Sequence, residues 1–288
     1  MAHVPPLRIA QLSDLHIGFD RAAMVDANLA RLREALTCLT NRPDPPHALL
    51  LTGDLTEHGD AASYRVLAEA LTDLPFPVLP LAGNHDAREA LAGTFAQVPQ
   101  DGGFLHYEVT IGGLRILLLD SFAEGRHGGG FCAERADWLR EALAAAPDAP
   151  TLLAIHHPPV SAGIEWMDPA PDEPWIATFA EVIAGHSQIA GIVCGHLHRP
   201  VATQFCGFPV SICPSTAPPL ALDLRSIDPG QPDGRAMVMG GAPGFAIHHW
   251  DGARLVTHFG EARKETPVAR YDARMQAVVQ VLASERGE

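Results

Sequence analysis

The sequence predicts a layered α/β fold, with sheets flanked by helices rather than one purely parallel, doubly wound sheet. Three observations carry this. Strand, acidic loop and helix follow one another twice near the start, and five short apolar runs lead into loops bearing Asp, Asn or His. Later in the chain, strand-like runs come in pairs with no helix between them. Early αβ alternation followed by strand pairs is the pattern of stacked sheets with helices outside. With 288 residues, 47% of them apolar and 19% charged, the chain can bury a large core, and one globular domain is the starting expectation.

The elements follow from periodicity and punctuation. Leu7 to Ser13 is a mostly apolar run ending in polar residues, and Ala22 to Thr40 carries apolar positions at helical spacing. His47 to Thr52 is a second strand-like run, which ends at Gly53-Asp54 and precedes a helical stretch from Ala61 to Asp73. Pro77 to Leu81 is a third, giving way at Gly83-Asn84-His85-Asp86 to a helical segment from Ala87. Phe104 to Ile111 and Leu114 to Asp120 flank Gly112-Gly113, which reads as a hairpin.

Ala133 to Ala146 is a helix closed by Pro147, and Thr151 to Ile155 is a buried strand ending at His156-His157-Pro158-Pro159. A helix near Trp175 to Ala184 leads to the strand Ile189 to Cys194, which ends at Gly195-His196-Leu197-His198. Val201 to Phe205, Pro209 to Cys213, Gly244 to His249 and Arg254 to Phe259 read as antiparallel strands around a Pro- and Gly-rich stretch, 214–243. The expected organisation is one main domain, 1–265, followed by a tail, 266–288, with an exposed amphipathic helix over Arg270 to Glu288.

Twenty Lys and Arg against 34 Asp and Glu leave a formal charge of -14, which disfavours polymeric nucleic acid and anionic membranes as partners. Small phosphates stay open, because bound divalent cations would reverse the local field. The five cysteines are scattered, without a CxxC pair, and suggest free thiols in a reducing compartment. The opening MAHVPPLRIA has no basic segment followed by a long apolar one, and no run of about 18 apolar residues occurs. A cytoplasmic protein without membrane attachment is expected; a homo-oligomer is compatible with the tail.

The chemistry-bearing residues lie at strand ends. Asp14 and His16 are two apart, so both side chains can project to one side and meet one ion. A lone Asp-x-His is weak, since Asp at such a turn is usually a cap. The other ends add Asp54, Asn84 with His85, His156, and His196 with His198. In open α/β sheets ligands collect outside the carboxyl ends of the strands. The mixed nitrogen and oxygen donors suit zinc, manganese, iron or cobalt better than calcium.

In their order, DLH, GDLT, GNHD, HHPP and GHLH, spread over roughly Leu7 to Pro200, resemble the calcineurin-like metallophosphoesterases. Gly163, Met167-Asp168 and Pro214-Ser215-Thr216 are similar to the bacterial subgroup holding class III cyclic nucleotide phosphodiesterases and glycerophosphodiesterases. The resemblance implies an αββα sandwich of two mixed sheets flanked by helices. It also implies two metal ions: Asp14, His16 and His198 at one, Asn84, His156 and His196 at the other, with Asp54 as bridge. His85 would sit beside the substrate phosphate, and His157 and Asp168 are peripheral candidates for the substrate pocket.

Such a pair of cations binds phosphate oxygens and lowers the pKa of a shared water, and the resulting hydroxide attacks phosphorus in line. His85 would then protonate the leaving group or bind a phosphate oxygen. The expected activity is hydrolysis of small phosphodiesters, either 3',5'-cyclic nucleotides or glycerophosphodiesters. A phosphomonoesterase, a nucleotide pyrophosphatase and a non-catalytic scaffold are the alternatives; the complete ligand set argues against the scaffold. His58, His106, His127, His186, His248, His249 and His258 lie outside the matched positions and read as loop or core histidines.

Overall fold

The computed structural model describes residues 6–20, 26–100, 102–264 and 266–286. In chain order its elements are β1 (Leu7–Leu12), α1 (Ala27–Thr40), β2 (Ala48–Thr52), α2 (Ala61–Leu71), β3 (Val78–Leu81), α3 (Arg88–Thr94), β4 (Tyr107–Ile111) and β5 (Leu114–Leu119). They continue with α4 (Ala133–Ala145), β6 (Thr151–Ile155), α5 (Pro174–Ile183), β7 (Ile189–Cys194), β8 (Val201–Phe205), β9 (Phe208–Ile212), β10 (Gly244–Trp250), β11 (Leu255–Glu261) and α6 (Gln276–Glu285).

Two mixed sheets result, a five-stranded one ordered β11-β10-β1-β2-β3 and a six-stranded one ordered β4-β5-β6-β7-β9-β8. Strands β1, β2 and β3 are parallel, as are β5, β6, β7 and β9; β10, β11, β4 and β8 pair antiparallel at the flanks. The inner strands are mostly apolar because both of their faces are covered. In β5, Leu114, Ile116 and Leu118 face the core shared with the first sheet, while Leu117 and Leu119 pack with Leu139 of α4 and Phe179 of α5. Leu32 and Leu39 of α1 and Tyr64 and Leu67 of α2 belong to the first core. Helix, sheet, sheet, helix is therefore the layer order.

A buried polar chain crosses between the sheets. Gln11 donates through Nε2 to Thr52 Oγ1 (2.7 Å) and to the Cys194 carbonyl (2.9 Å), while its Oε1 meets His248 Nε2 at 2.9 Å. These bonds register β1 against β7, bringing the carboxyl ends of both parallel sets together.

Several expectations shift. The first helix begins at Ala27, where the Asp26 carboxylate accepts from the Asn28 and Leu29 amides; expected helical positions 22–25 lie outside the described residues. The paired strands at the end of the chain divide between sheets: β9 joins β7 in parallel, whereas β10 and β11 extend the first sheet through β1. Sequence periodicity cannot choose a neighbour, so this was open. The tail helix is shorter than expected, running over Gln276–Glu285, and none of its residues is buried. Residues 214–243 form no strand or helix, being tied by a bridge between Leu220 and Val238. None of the five cysteines forms a disulfide, and no helix among the described residues is long and apolar enough to cross a membrane.

Candidate metal centre

The strand ends deliver their side chains through strained backbone. Among the described residues, six non-glycine positions have positive φ, and five of them are Asp14 (54°), His16 (47°), Asp54 (49°), His196 (72°) and His198 (51°). Non-glycine residues avoid this region, and such strain gathers where function demands a side-chain direction. Each turn stops the strand abruptly and folds the ligand back over the strand ends.

Close approach makes the same demand of two glycines. A Cβ on Gly83 would lie 2.3 Å from Asp54 Oδ1, and one on Gly195 would lie 1.9 Å from Ser13 Oγ. The glycines before Asn84 and His196 thus let neighbouring loops nest against one another. Asp86 locks them further: its buried carboxylate accepts from the amides of Leu55, Thr56 and Gly83 and from the Tyr64 hydroxyl at 2.7 Å.

Hydrogen bonds decide which imidazole nitrogen points inward. His156 Nδ1 donates to the Thr52 carbonyl (2.7 Å), His198 Nδ1 to the Pro218 carbonyl (3.2 Å) and His16 Nδ1 to Glu57 Oε2 (2.6 Å). These acceptors fix a proton on each Nδ1, so each ring in its neutral form offers the Nε2 lone pair. Those lone pairs converge: His16 and His198 Nε2 are 3.1 Å apart, and His156 Nε2 and His196 Nδ1 lie 3.2 and 3.1 Å from Asn84 Oδ1. Asp54 Oδ2 stands between the two sets, 3.8 Å from His16 Nε2 and 3.4 Å from His156 Nε2.

The donor set fits a pair of cations. Ligand atoms about 2.0–2.2 Å from one ion sit roughly 3 Å apart at ordinary coordination angles, which matches these separations. Asp14-His16-His198 and Asp14-Asp54-His156 each bring one ligand atom per residue within 4.8 Å of the others. Asp14 and Asp54 are buried, and among the described residues their ion contacts are to histidines alone. Buried carboxylates without Lys or Arg are costly unless a cation compensates them.

Protonation agrees with this. Burial pulls His156 down, but the adjacent Asp54 carboxylate outweighs it and raises the imidazole to about 9, the mark of a place where positive charge is favoured. Burial, reinforced by neighbouring histidines, holds His196 well below its usual value, so it stays neutral and able to donate a lone pair. His157 also lies within 4.8 Å of His156 and His196 atoms, yet both its nitrogens have partners: Nδ1 meets Ser121 Oγ (2.8 Å) and Nε2 the His127 carbonyl (3.1 Å). With both nitrogens engaged, it packs its ring against those of His156 and His196.

His85 reaches the same centre: His16, Asp54 and His85 bring one possible ligand atom each within 4.8 Å of one another. Its amide donates to Asp54 Oδ1 (2.8 Å), its Nδ1 to the Glu57 carbonyl (3.1 Å), and its side chain is 31% exposed. A cavity of 160 Å³ opens beside His127, His157 and His196, with Trp166, Met167 and Asp168 along its wall. The Asp168 carboxylate accepts from Ser161 Oγ and from the amides of Ala162 and Gly163, and so shapes the loop that forms this wall.

Sequence reasoning set His127 aside and did not single out Glu57. The structure seats the His127 ring 4.8 Å from that of His196, with its Nδ1 3.1 Å from Asn84 Nδ2. It accepts the Asn84 amide proton and so turns Asn84 Oδ1 inward. A lone histidine in a glycine-rich loop carries no local signal of this. Glu57, three residues beyond Asp54, did carry a weak one.

Comparison with known proteins gives a consistent picture. A profile of the family described as calcineurin-like phosphoesterase matches residues 7–200. The chain is 33% identical over 258 residues to a protein of Arcobacter nitrofigilis named probable glycerophosphodiester phosphodiesterase GpdQ, covering 87% of this chain and 91% of that one. It is 35% identical over 235 residues to a probable cyclic nucleotide phosphodiesterase of Synechococcus, covering 79% and 89%. A solved dimetal phosphatase from Danio rerio shares the fold, with a TM-score of 0.62 at 15% identity, over 90% of this chain and 98% of that one.

Proposed function

This chain belongs to the calcineurin-like phosphoesterase family and is a metal-dependent phosphodiester hydrolase, and from that premise we propose that it cleaves small phosphodiesters at two cations. The supporting observation is the convergence of five left-handed strand-end residues on one buried, carboxylate-rich point. Asp14, His16 and His198 would hold one cation; Asn84, His156 and His196 the other; Asp54 would touch both. Manganese, iron, zinc and cobalt all match the donors. Bound there, the cations would bind phosphate oxygens and lower the pKa of the attacking water.

The chain's own residues do the remainder. The buttressed imidazoles and the locked Asp54 loop hold the reacting phosphate in register, so little reorganisation accompanies the reaction. His85, whose Nδ1–H is held by the Glu57 carbonyl, would face the leaving oxygen with Nε2 and, in its imidazolium form, give it the Nε2 proton. The catalytic unit is taken as residues 1–265, and the reducing, cytoplasmic setting expected from the cysteines is part of the same reading.

The substrate is a diester, a cyclic nucleotide or a glycerophosphodiester, as the names of the two relatives suggest. A diester has one negative charge and two organic arms, and the cavity beside His157 and Trp166 is a place for one arm. Comparing kcat/KM for matched aryl diesters and monoesters, with 3',5'-cyclic AMP and glycerophosphodiesters, tests this. A consistent monoester advantage of roughly tenfold, about 1.4 kcal/mol of transition-state stabilisation, would overturn the diester assignment.

A further inference from the structure

We propose that Glu57 is the positioning residue of the centre, holding His16 by its carboxylate and His85 by its main-chain carbonyl so that both imidazoles present Nε2 inward. This rests on the two-cation phosphodiesterase reading and adds to it a residue outside the seven-residue ligand set. Glu57 Oε2 lies 2.6 Å from His16 Nδ1, and its carbonyl oxygen 3.1 Å from His85 Nδ1. The second carboxylate oxygen, Oε1, is 3.6 Å from the same His85 nitrogen. The two rings meet edge to face at 4.8 Å, so a rotation of either disturbs the other.

Glu57 is itself held firmly. Its amide donates to the Ile17 carbonyl (3.0 Å), and Thr56 and Ile17 form a parallel bridge, which ties its loop to the one carrying Asp14 and His16. Its side chain is 17% exposed, and among the described residues its ion contacts are His16 and His85, with no Lys or Arg drawing it away. A carboxylate on the far nitrogen of a ligating imidazole fixes the tautomer, sets the ring plane and increases the basicity of the lone pair offered to the metal. His156 and His198 have carbonyl oxygens in that place. Of these three, His16 is the imidazole backed by a full negative charge.

Loss of that charge should therefore weaken one cation selectively. Metal titration of chelator-stripped wild type, Glu57→Gln and Glu57→Ala reads this directly, without turnover. The expected result is a loss of about 10- to 100-fold in affinity at one of two sites, with the other unchanged. Glu57→Asp, which keeps the charge on a shorter stem, should fall between wild type and Glu57→Ala. The metal-free unfolding midpoint of Glu57→Gln, whose amide oxygen can still accept from His16 Nδ1, should stay near that of wild type, while Glu57→Ala leaves that buried donor unpaired and falls lower. Unchanged affinities at both sites, or equal losses at both accompanied by a lower metal-free midpoint, would overturn the proposal. If the wild type holds two ions yet cleaves no diester, the phosphodiesterase reading fails instead, and the metal titration still judges Glu57.

Discussion

His16 and His198 face each other with their Nε2 atoms 3.1 Å apart, although 182 residues separate them in the chain. Both have their Nδ1 committed, to Glu57 and to the Pro218 carbonyl, so the facing pair must share a proton or a cation. Neither neutral ring can escape by rotating without breaking a hydrogen bond.

Adding cation to chelator-treated protein should raise its unfolding midpoint, since a ligand at 100 times its Kd stabilises by about 2.7 kcal/mol. Asp54→Ala should lower occupancy of both sites, because Asp54 Oδ2 stands between the two imidazole sets, whereas His198→Ala should weaken mainly one. Metal content per chain measures the difference. Two tightly held ions in Asp54→Ala would end its assignment as bridge.

His85→Ala should keep both metals and lose rate, because the seven residues proposed as ligands remain and the His85 Nδ1 is held by the Glu57 carbonyl; loss of metal would instead make His85 a ligand beside His16 and Asp54. General acid assistance is worth roughly 100- to 10,000-fold, so the loss should be large for a poor alkoxide leaving group and small for nitrophenolate. Equal losses for the two leaving groups would instead assign His85 to phosphate binding.

Gly83→Ala should lower metal occupancy and stability together. The new methyl would lie 2.4 Å from the Asp54 amide nitrogen as well as 2.3 Å from its Oδ1, so the bridging loop must move. Overpacking of this kind costs about 1–3 kcal/mol. Gly93→Ala, on α3 with open space around it, is the control and should be neutral or stabilising. Metal content with calorimetry reads both, and normal metal content in Gly83→Ala would show that the loops adjust.

His248 should add an acid-sensitive point between the strands, away from the metal centre. Burial lowers its imidazole from 6.5 to about 4, so the folded state binds fewer protons than the unfolded state between these values. Its contribution is fully present above pH 6.5 and is lost as pH falls towards 4, to a total of about 3 kcal/mol. Stability of His248→Gln against wild type, measured across this window, should show the gap shrinking as pH falls. A gap that stays constant with pH would count against the titration.

The sequence by itself determined most of the strands, the strand-end turns and the seven positions proposed as ligands. Apolar runs of strand length ending in Asp, Asn or His are local patterns, and Gly83 and Gly195 announce the tight turns that aim Asn84 and His196. Only the tertiary structure decided which other side chains join them. His127 enters through a loop with no periodicity, His157 has its two nitrogens engaged by Ser121 and the His127 carbonyl, and Glu57 reaches His16 across two loops. The same holds for the placing of β9 beside β7 and of β10 beside β1. In each case the outcome depends on contacts between distant segments, and local preference carries no information about which distant partner will complete a hydrogen bond or cover a sheet edge.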